Sequence, residues 1–291
     1  MTKNKNKYIP FYYDALFYKI FGDEKDTSLL KRLIELSLNI KIKELSILNG
    51  KMLSDKYKGK VSYLDLYVKL EDGKVVNIEV NTSTDYYIKD RNLYFLAKGM
   101  GNDMDLGDSY YEFKKHYQIN LNASRNRQKL PVLTYYVMNE ETGLIFSDKL
   151  QILDIDLVSF KKLCYTNSTT KKLNEFEKLM GLLGCENKED QKFFEHEKGM
   201  IATIMEKAEK FRDDGEMIEM YDRDVMLEHL RRKQLSDAIL KTTEEVTKEV
   251  TLKNFKDIAR NMLNKKMSIK DISDVTGLTL EEVNKLKKEE K

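Results

Sequence analysis

The sequence predicts an α/β half followed by an all-α half, and three observations carry that fold class. Two β-rich runs alternate on either side of Glu71-Asp72-Gly73-Lys74. Further short strand patterns, separated by one helical stretch, continue to about Leu157. Beyond that point the pattern is helical, and the stretch from Glu216 to Met267 contains neither proline nor glycine.

Composition narrows the function classes. The chain has 291 residues, 41% hydrophobic and 34% charged, which suits two domains or one domain with an appendage. No apolar run approaches the length of a membrane span, and no apolar signal core follows the basic start MTKNKNKYIP. The expectation is therefore a cytoplasmic protein with no membrane partner. Cys164 and Cys185 lack metal-ligand spacing and read as reduced thiols, and His116, His196 and His229 are too scattered for a zinc site. Net charge is only +2, so affinity for nucleic acid must come from local patches.

Pro10-Phe11-Tyr12-Tyr13 leads into a short segment, Asp14–Phe21, closed by Gly22. Asp14 fits a helix N-cap. Asp26-Thr27-Ser28 caps the next helix, whose Leu29, Leu30, Leu33 and Ile34 give helical periodicity. Leu45–Leu48 reads as a strand and Lys51–Lys60 as a basic loop.

Val61–Thr82 then reads as a hairpin bearing carboxylates. Leu64, Leu66, Val68 and Leu70 share one face, with Tyr63, Asp65 and Tyr67 on the other. On the second run Val76, Ile78 and Val80 oppose Asn77, Glu79 and Asn81. Keeping the aliphatic face continuous requires a three-residue loop, Glu71-Asp72-Gly73, with Gly73 left-handed. That register sets Asp65 opposite Glu79, and like charges in such a pair destabilise a sheet unless a cation offsets them. Two converging carboxylates suit Mg²⁺. A solvated polar face, its acids paired with lysines such as Lys69, is the other reading.

Tyr86–Met100 looks helical, with Tyr87, Arg91, Tyr94 and Lys98 along one side. Aromatics interleaved with cations fit a surface for a phosphate backbone. Gly99–Tyr111 reads as a loop. Its DMDLGD lacks the ligand pattern of a calcium loop. His116–Ala123, Pro131–Asn139 and Leu150–Leu157 are further strands, with a basic turn at Ser124–Lys129.

In the helical half, Phe176–Leu183 and Phe193–Phe211 look amphipathic, and Glu216–Met267 forms one long helix or two. The tail Ser268–Val283 has helix-turn-helix spacing around Gly277. Its second helix, Thr279–Lys287, opens with Glu281 and Glu282 where base contacts usually begin. The tail therefore reads as a structural or oligomerisation module.

Asp65, a turn and Ile78-Glu79-Val80-Asn81 resemble the D…(D/E)-X-(K/Q) signature of PD-(D/E)XK nucleases. Two further pieces resemble the branch described as PD-(D/E)XK nuclease family transposases, or recombination-promoting nucleases. One is the opening Asp14-Ala-Leu-Phe17-Tyr-Lys19-Ile-Phe21-Gly22, and the other is Arg91-Asn-Leu-Tyr94-Phe95 after the metal-site strand. The likeness spans roughly residues 8–160, with an echo in the tail. One position departs from it: the motif's lysine or glutamine is Asn81, which is shorter than glutamine and uncharged.

The resemblance implies a restriction-endonuclease-like core, a mixed sheet flanked by helices, followed by the all-α region. It implies DNA as partner and Mg²⁺ as cofactor, with Mn²⁺ or Ca²⁺ as substitutes. Asp65, Glu79 and the Val80 carbonyl would hold the metal, Asn81 and Asp14 would join the catalytic set, and Arg91 and Lys98 would meet the nucleic acid. The expected organisation is a nuclease-like domain at 1–160, a helical region at 161–254 and a helix-turn-helix-like tail at 255–291. The leading expectation is a metal-dependent DNA endonuclease linked to transposition, recombination or phage defence. The alternative is a catalytically degenerate relative that binds nucleic acid or assembles as a homo-oligomer through its helical half.

Overall fold

The computed structural model describes residues 7–48, 66–82, 87–104, 107–124, 130–167 and 169–289. The chain divides into two compact units, Met1–Tyr221 and Asp222–Lys291.

The first unit opens with helices α1 (Asp14–Phe21) and α2 (Ser28–Leu38). α1 buries Leu16, Phe17, Ile20 and Phe21, and α2 buries Leu29, Leu30, Leu33 and Ile34, the i, i+1, i+4, i+5 stripe of a one-sided helix. Tyr13, not Asp14, is the N-cap of α1, and Asp14 lies in its first turn. At the start of α2, Asp26 Oδ1 accepts hydrogen bonds from the Ser28 amide at 3.2 Å and the Ser28 hydroxyl at 2.6 Å.

Six strands follow: β1 (Leu45–Ile47), β2 (Leu66–Leu70), β3 (Val75–Asn81), β4 (His116–Asn122), β5 (Val132–Met138) and β6 (Ile145–Asp156). They form one mixed sheet in the order β1-β2-β3-β4-β6-β5. β1, β2 and β3 run antiparallel, β3, β4 and β6 parallel, and β5 antiparallel to β6. The parallel step from β3 to β4 needs a crossover. Helix α3 (Ile88–Asn102) provides it.

The β2–β3 turn has the expected form. The Leu70 amide donates to the Lys74 carbonyl at 2.8 Å and the Gly73 amide to the Leu70 carbonyl at 2.9 Å. Gly73 takes φ 83°, a conformation open to glycine at little cost. The register is Leu66 opposite Ile78 and Val68 opposite Val76, as the three-residue loop requires. Asp65 lies outside the described residues, as do the basic loop at 51–60, residues 83–86 and residues 125–129 of the basic turn.

One sheet face is apolar. Leu66, Val68, Val76, Ile78, Ile119, Leu121 and Ile155 are buried in a single cluster with α1 and α2. The same cluster takes in α4 (Leu157–Asn167), α5 (Glu175–Leu183) and α7 (Met200–Arg212). α5 opens with a reciprocal capping box between Asn174 and Glu177. Cys164 and Cys185 are free thiols buried in this helical layer.

Three boundaries differ from expectation. The helix expected over Phe193–Phe211 begins only at Met200, because Gly199 at φ 63° breaks the run and the short α6 (Lys188–Lys192) precedes it. β6 starts at Ile145 rather than Leu150, since irregular pairing around Val137 extends its ladder with β5. α3 runs through the expected loop start to Asn102.

The second unit contains most of α8 (Gly215–Asn264), a single helix of 50 residues that begins in the first unit. α9 (Ile269–Thr276) and α10 (Leu280–Glu289) follow. Ala259, Ile272, Leu278, Val283 and Leu286 form its core. Ser268 Oγ accepts from the Asp271 amide at 3.1 Å, while Thr279 and Glu282 cap α10 reciprocally at 2.8 and 3.2 Å. Among the described residues, no helix is long and apolar enough to cross a membrane.

Candidate functional site

The polar face of the β3 strand is not solvated. Asn77, Glu79 and Asn81 are all under 5% exposed. Two things bury them. The parallel neighbours repeat the pattern, so Asn77, Glu79 and Asn81 stand beside Gln118, Asn120 and Asn122, with Asp154 and Asp156 one strand further on. Helix α3 then lies over this face. Its Asn92, Leu96 and Gly99 are buried, a spacing of i, i+4, i+7 that marks one side of a helix. A Cβ at Gly99 would sit 2.7 Å from the Tyr67 hydroxyl, so the absence of a side chain there allows the helix its close approach to β2. Burial raises the Tyr67 phenol to about 12.

Buried polar groups must find partners, and here they form a network. Asn77 Nδ2 donates to Gln118 Oε1 at 2.9 Å. Asn120 Oδ1 accepts from Gln118 Nε2 at 2.8 Å and Asn92 Nδ2 at 2.9 Å, while Asn120 Nδ2 donates to Asp154 Oδ1 at 2.6 Å. Asn81 Nδ2 donates to Asn122 Oδ1 at 3.0 Å. Asp156 serves the fold instead, accepting from the Val158 and Ser159 amides at the start of α4.

Arg91 is the cation at this layer. Its side chain is 43% exposed, yet Nη2 donates to Asn81 Oδ1 at 3.1 Å and stands 3.6 Å from Glu79 Oε2. Glu79 Oε1 also accepts from Asn77 Nδ2 at 3.3 Å. Lys98, two turns along α3, is half-buried, and Tyr94 between them is exposed. Asp14 is half-buried on α1, which packs against α2 and α7. Thus Glu79, Asn81 and Arg91 are brought together. Asp65 lies outside the described residues.

Sequence reasoning missed Asn77, Asn92, Gln118, Asn120, Asn122 and Asp154. The signal for Gln118, Asn120 and Asn122 was present as the period-two polar set in HYQINLN, but a strand's sequence does not name its neighbour.

Residues 11–238 match the family model described as PD-(D/E)XK nuclease family transposase. The chain belongs to this family. Residues 253–288 match a second model, the C-terminal HTH domain of the Rpn/YhgA-like nuclease family, a range that takes in α9 and nearly all of α10. No curated protein and no solved structure matches the chain.

PD-(D/E)XK nucleases generally use divalent metals. Among the described residues no group of three or more His, Cys, Asp or Glu side chains gathers to hold one. The donor chemistry nevertheless fits a hard cation. Every acceptor around Glu79 is an oxygen, and the buried Asn77 Oδ1, two residues along the same face, has no hydrogen-bond partner.

Proposed function

We propose that this family member is a metal-dependent DNA endonuclease that hydrolyses phosphodiester bonds in the setting of transposition, recombination or phage defence. The observation that carries the reading is Glu79. It is a carboxylate 3% exposed, set in a buried layer of amide and carboxyl side chains, with the Arg91 guanidinium beside it and open to solvent.

Glu79 and Asp65 would hold the ion with the Val80 backbone carbonyl, and Mg²⁺ suits such a set, with Mn²⁺ or Ca²⁺ as substitutes. When bound, the ion polarises a phosphoryl oxygen and lowers the pKa of the attacking water. The remaining work belongs to side chains. Burial of Glu79 keeps competing water off the carboxylate. Asn81 organises the polar groups beside the attacking water, and Asp14 completes the catalytic set. Arg91 and Lys98, on one side of α3, draw in the DNA backbone, whose phosphates favour exposed cations. The reading places the chemistry in residues 1–160, a helical region in 161–254 that self-associates, and the tail in 255–291. The protein works in the cytoplasm.

Plasmid nicking with Mg²⁺, Mn²⁺ or Ca²⁺, run beside Asp65→Ala and Glu79→Ala, tests the reading. Metal-dependent cleavage that both substitutions abolish is the expected result. A wild type that binds DNA but cleaves with no metal would instead make the chain a degenerate binding protein.

A further inference from the structure

We propose that Arg91 supplies the positive charge that the third motif position lacks, and that Asn81 is its positioning residue. The inference rests on the nuclease reading above and assigns one catalytic role within it.

The argument starts from Asn122. Its Oδ1 accepts from Asn81 Nδ2 at 3.0 Å, which anchors one end of the Asn81 amide on the neighbouring strand. The other end, Oδ1, then faces α3 and accepts from Arg91 Nη2 at 3.1 Å. A guanidinium has five donors and no acceptor, so only an oxygen can serve at this place. The same Arg91 nitrogen stands 3.6 Å from Glu79 Oε2. Asn122, Asn81 and Arg91 thus form a chain that ends with a cation beside the motif carboxylate. A lysine at position 81 would reach the same neighbourhood from the strand. Here the charge comes from the helix instead, and the strand residue is short and neutral because it must accept.

The consequence for chemistry is specific. A guanidinium is always protonated, so Arg91 cannot act as a general base. It can stabilise negative charge that grows on the phosphoryl group in the transition state, the kind of contribution that costs about 100-fold or more in kcat when a donor is removed.

The structure also inverts a simple expectation. Installing the family's lysine at position 81 should harm the protein. Asn81 is 3% exposed, so the new side chain would bring a second positive charge up against the Arg91 guanidinium and remove the oxygen that accepts from it.

The test is a two-by-two set: wild type, Asn81→Lys, Arg91→Ala and the double variant N81K/R91A. Each is followed by melting temperature in EDTA and by kcat and KM for plasmid cleavage in Mg²⁺. Asn81→Lys should melt below wild type and cleave at least about tenfold more slowly. Arg91→Ala should lose about 100-fold in kcat with a smaller change in KM. N81K/R91A should recover the melting temperature and return kcat to within about tenfold of wild type, a rescue that a merely structural arginine would not give. Faster cleavage by Asn81→Lys than by wild type, or unchanged kcat in Arg91→Ala, would overturn the assignment while leaving the nuclease standing. A wild type that cleaves with no metal would overturn both, and the melting temperatures would still report whether positions 81 and 91 are coupled.

Discussion

Arg212, at the end of α7, donates Nε to the backbone carbonyl of Ile9 at 2.8 Å, tying α7 to the segment before α1. The guanidinium is buried to 5% exposure. It also donates to Gln191 Oε1 at 2.7 Å and Glu209 Oε1 at 2.8 Å, and its carbon lies 4.1 Å over the Tyr8 ring and 4.5 Å over Phe11. A planar fork between two aromatic faces is a place where lysine cannot substitute. Arg212→Ala should destabilise the protein by about 2–4 kcal/mol, because buried acceptors lose their donor and a cavity opens. Arg212→Lys should recover less than half of that. Urea unfolding followed by circular dichroism measures both, and a loss under about 0.5 kcal/mol, typical of a surface substitution, would contradict the assignment.

Gly184 closes α5 against the start of α4. A Cβ there would stand 2.5 Å from the Leu157 carbonyl oxygen, which is backbone and cannot swing away. Its φ of −81° is ordinary, so the constraint is space alone. Gly184→Ala should cost about 1–3 kcal/mol through overpacking. A urea midpoint equal to wild type would show that the two helices separate more readily than their packing indicates.

His116 gives the fold a pH dependence whose sign is fixed. Burial is the main cause of a pKa below the ordinary histidine value, only partly countered by the Lys114 carbonyl, 3.0 Å from Nδ1, and by Asp103. The folded state therefore favours the neutral ring. Below the unfolded value near 6.5 the unfolded chain takes up the proton first. The contribution of His116 is complete above about pH 6.5 and is lost as pH falls from there toward the folded value. His116→Gln should flatten the stability curve over the interval just below about pH 6.5 relative to wild type. Denaturant midpoints across that interval read it directly, and parallel curves for the two proteins would refute it.

The hairpin register was legible because two local rules agree there. The aliphatic sets Leu66-Val68 and Val76-Ile78 can share a face only through a three-residue loop, and Asp72-Gly73 is suited to make it. The helical character of α8 was legible for a different reason, since neither proline nor glycine interrupts the chain from Glu216 to its end at Asn264, although the sequence left one helix or two open. The environment of Glu79 was not legible. Alternation tells which residues share a face but not what covers it. Polar residues default to solvent until a second polar strand and a helix bring partners for them. The pairing of Asn81 with Asn122 joins residues 41 positions apart and depends on β4 docking parallel to β3.

The two buried thiols, Cys164 on α4 and Cys185 just past the end of α5, lie within the layer that covers the apolar side of the sheet. Burial lifts the Cys164 thiol to about 11 and pushes Cys185 well above its usual value. Since the thiolate is the species that reacts, neither sulfur meets an alkylating reagent while the layer stays shut. Their labelling rate is therefore a clock on the opening of the helical cover. It needs no engineered probe, and it can be read in the presence of DNA, metal or denaturant alike.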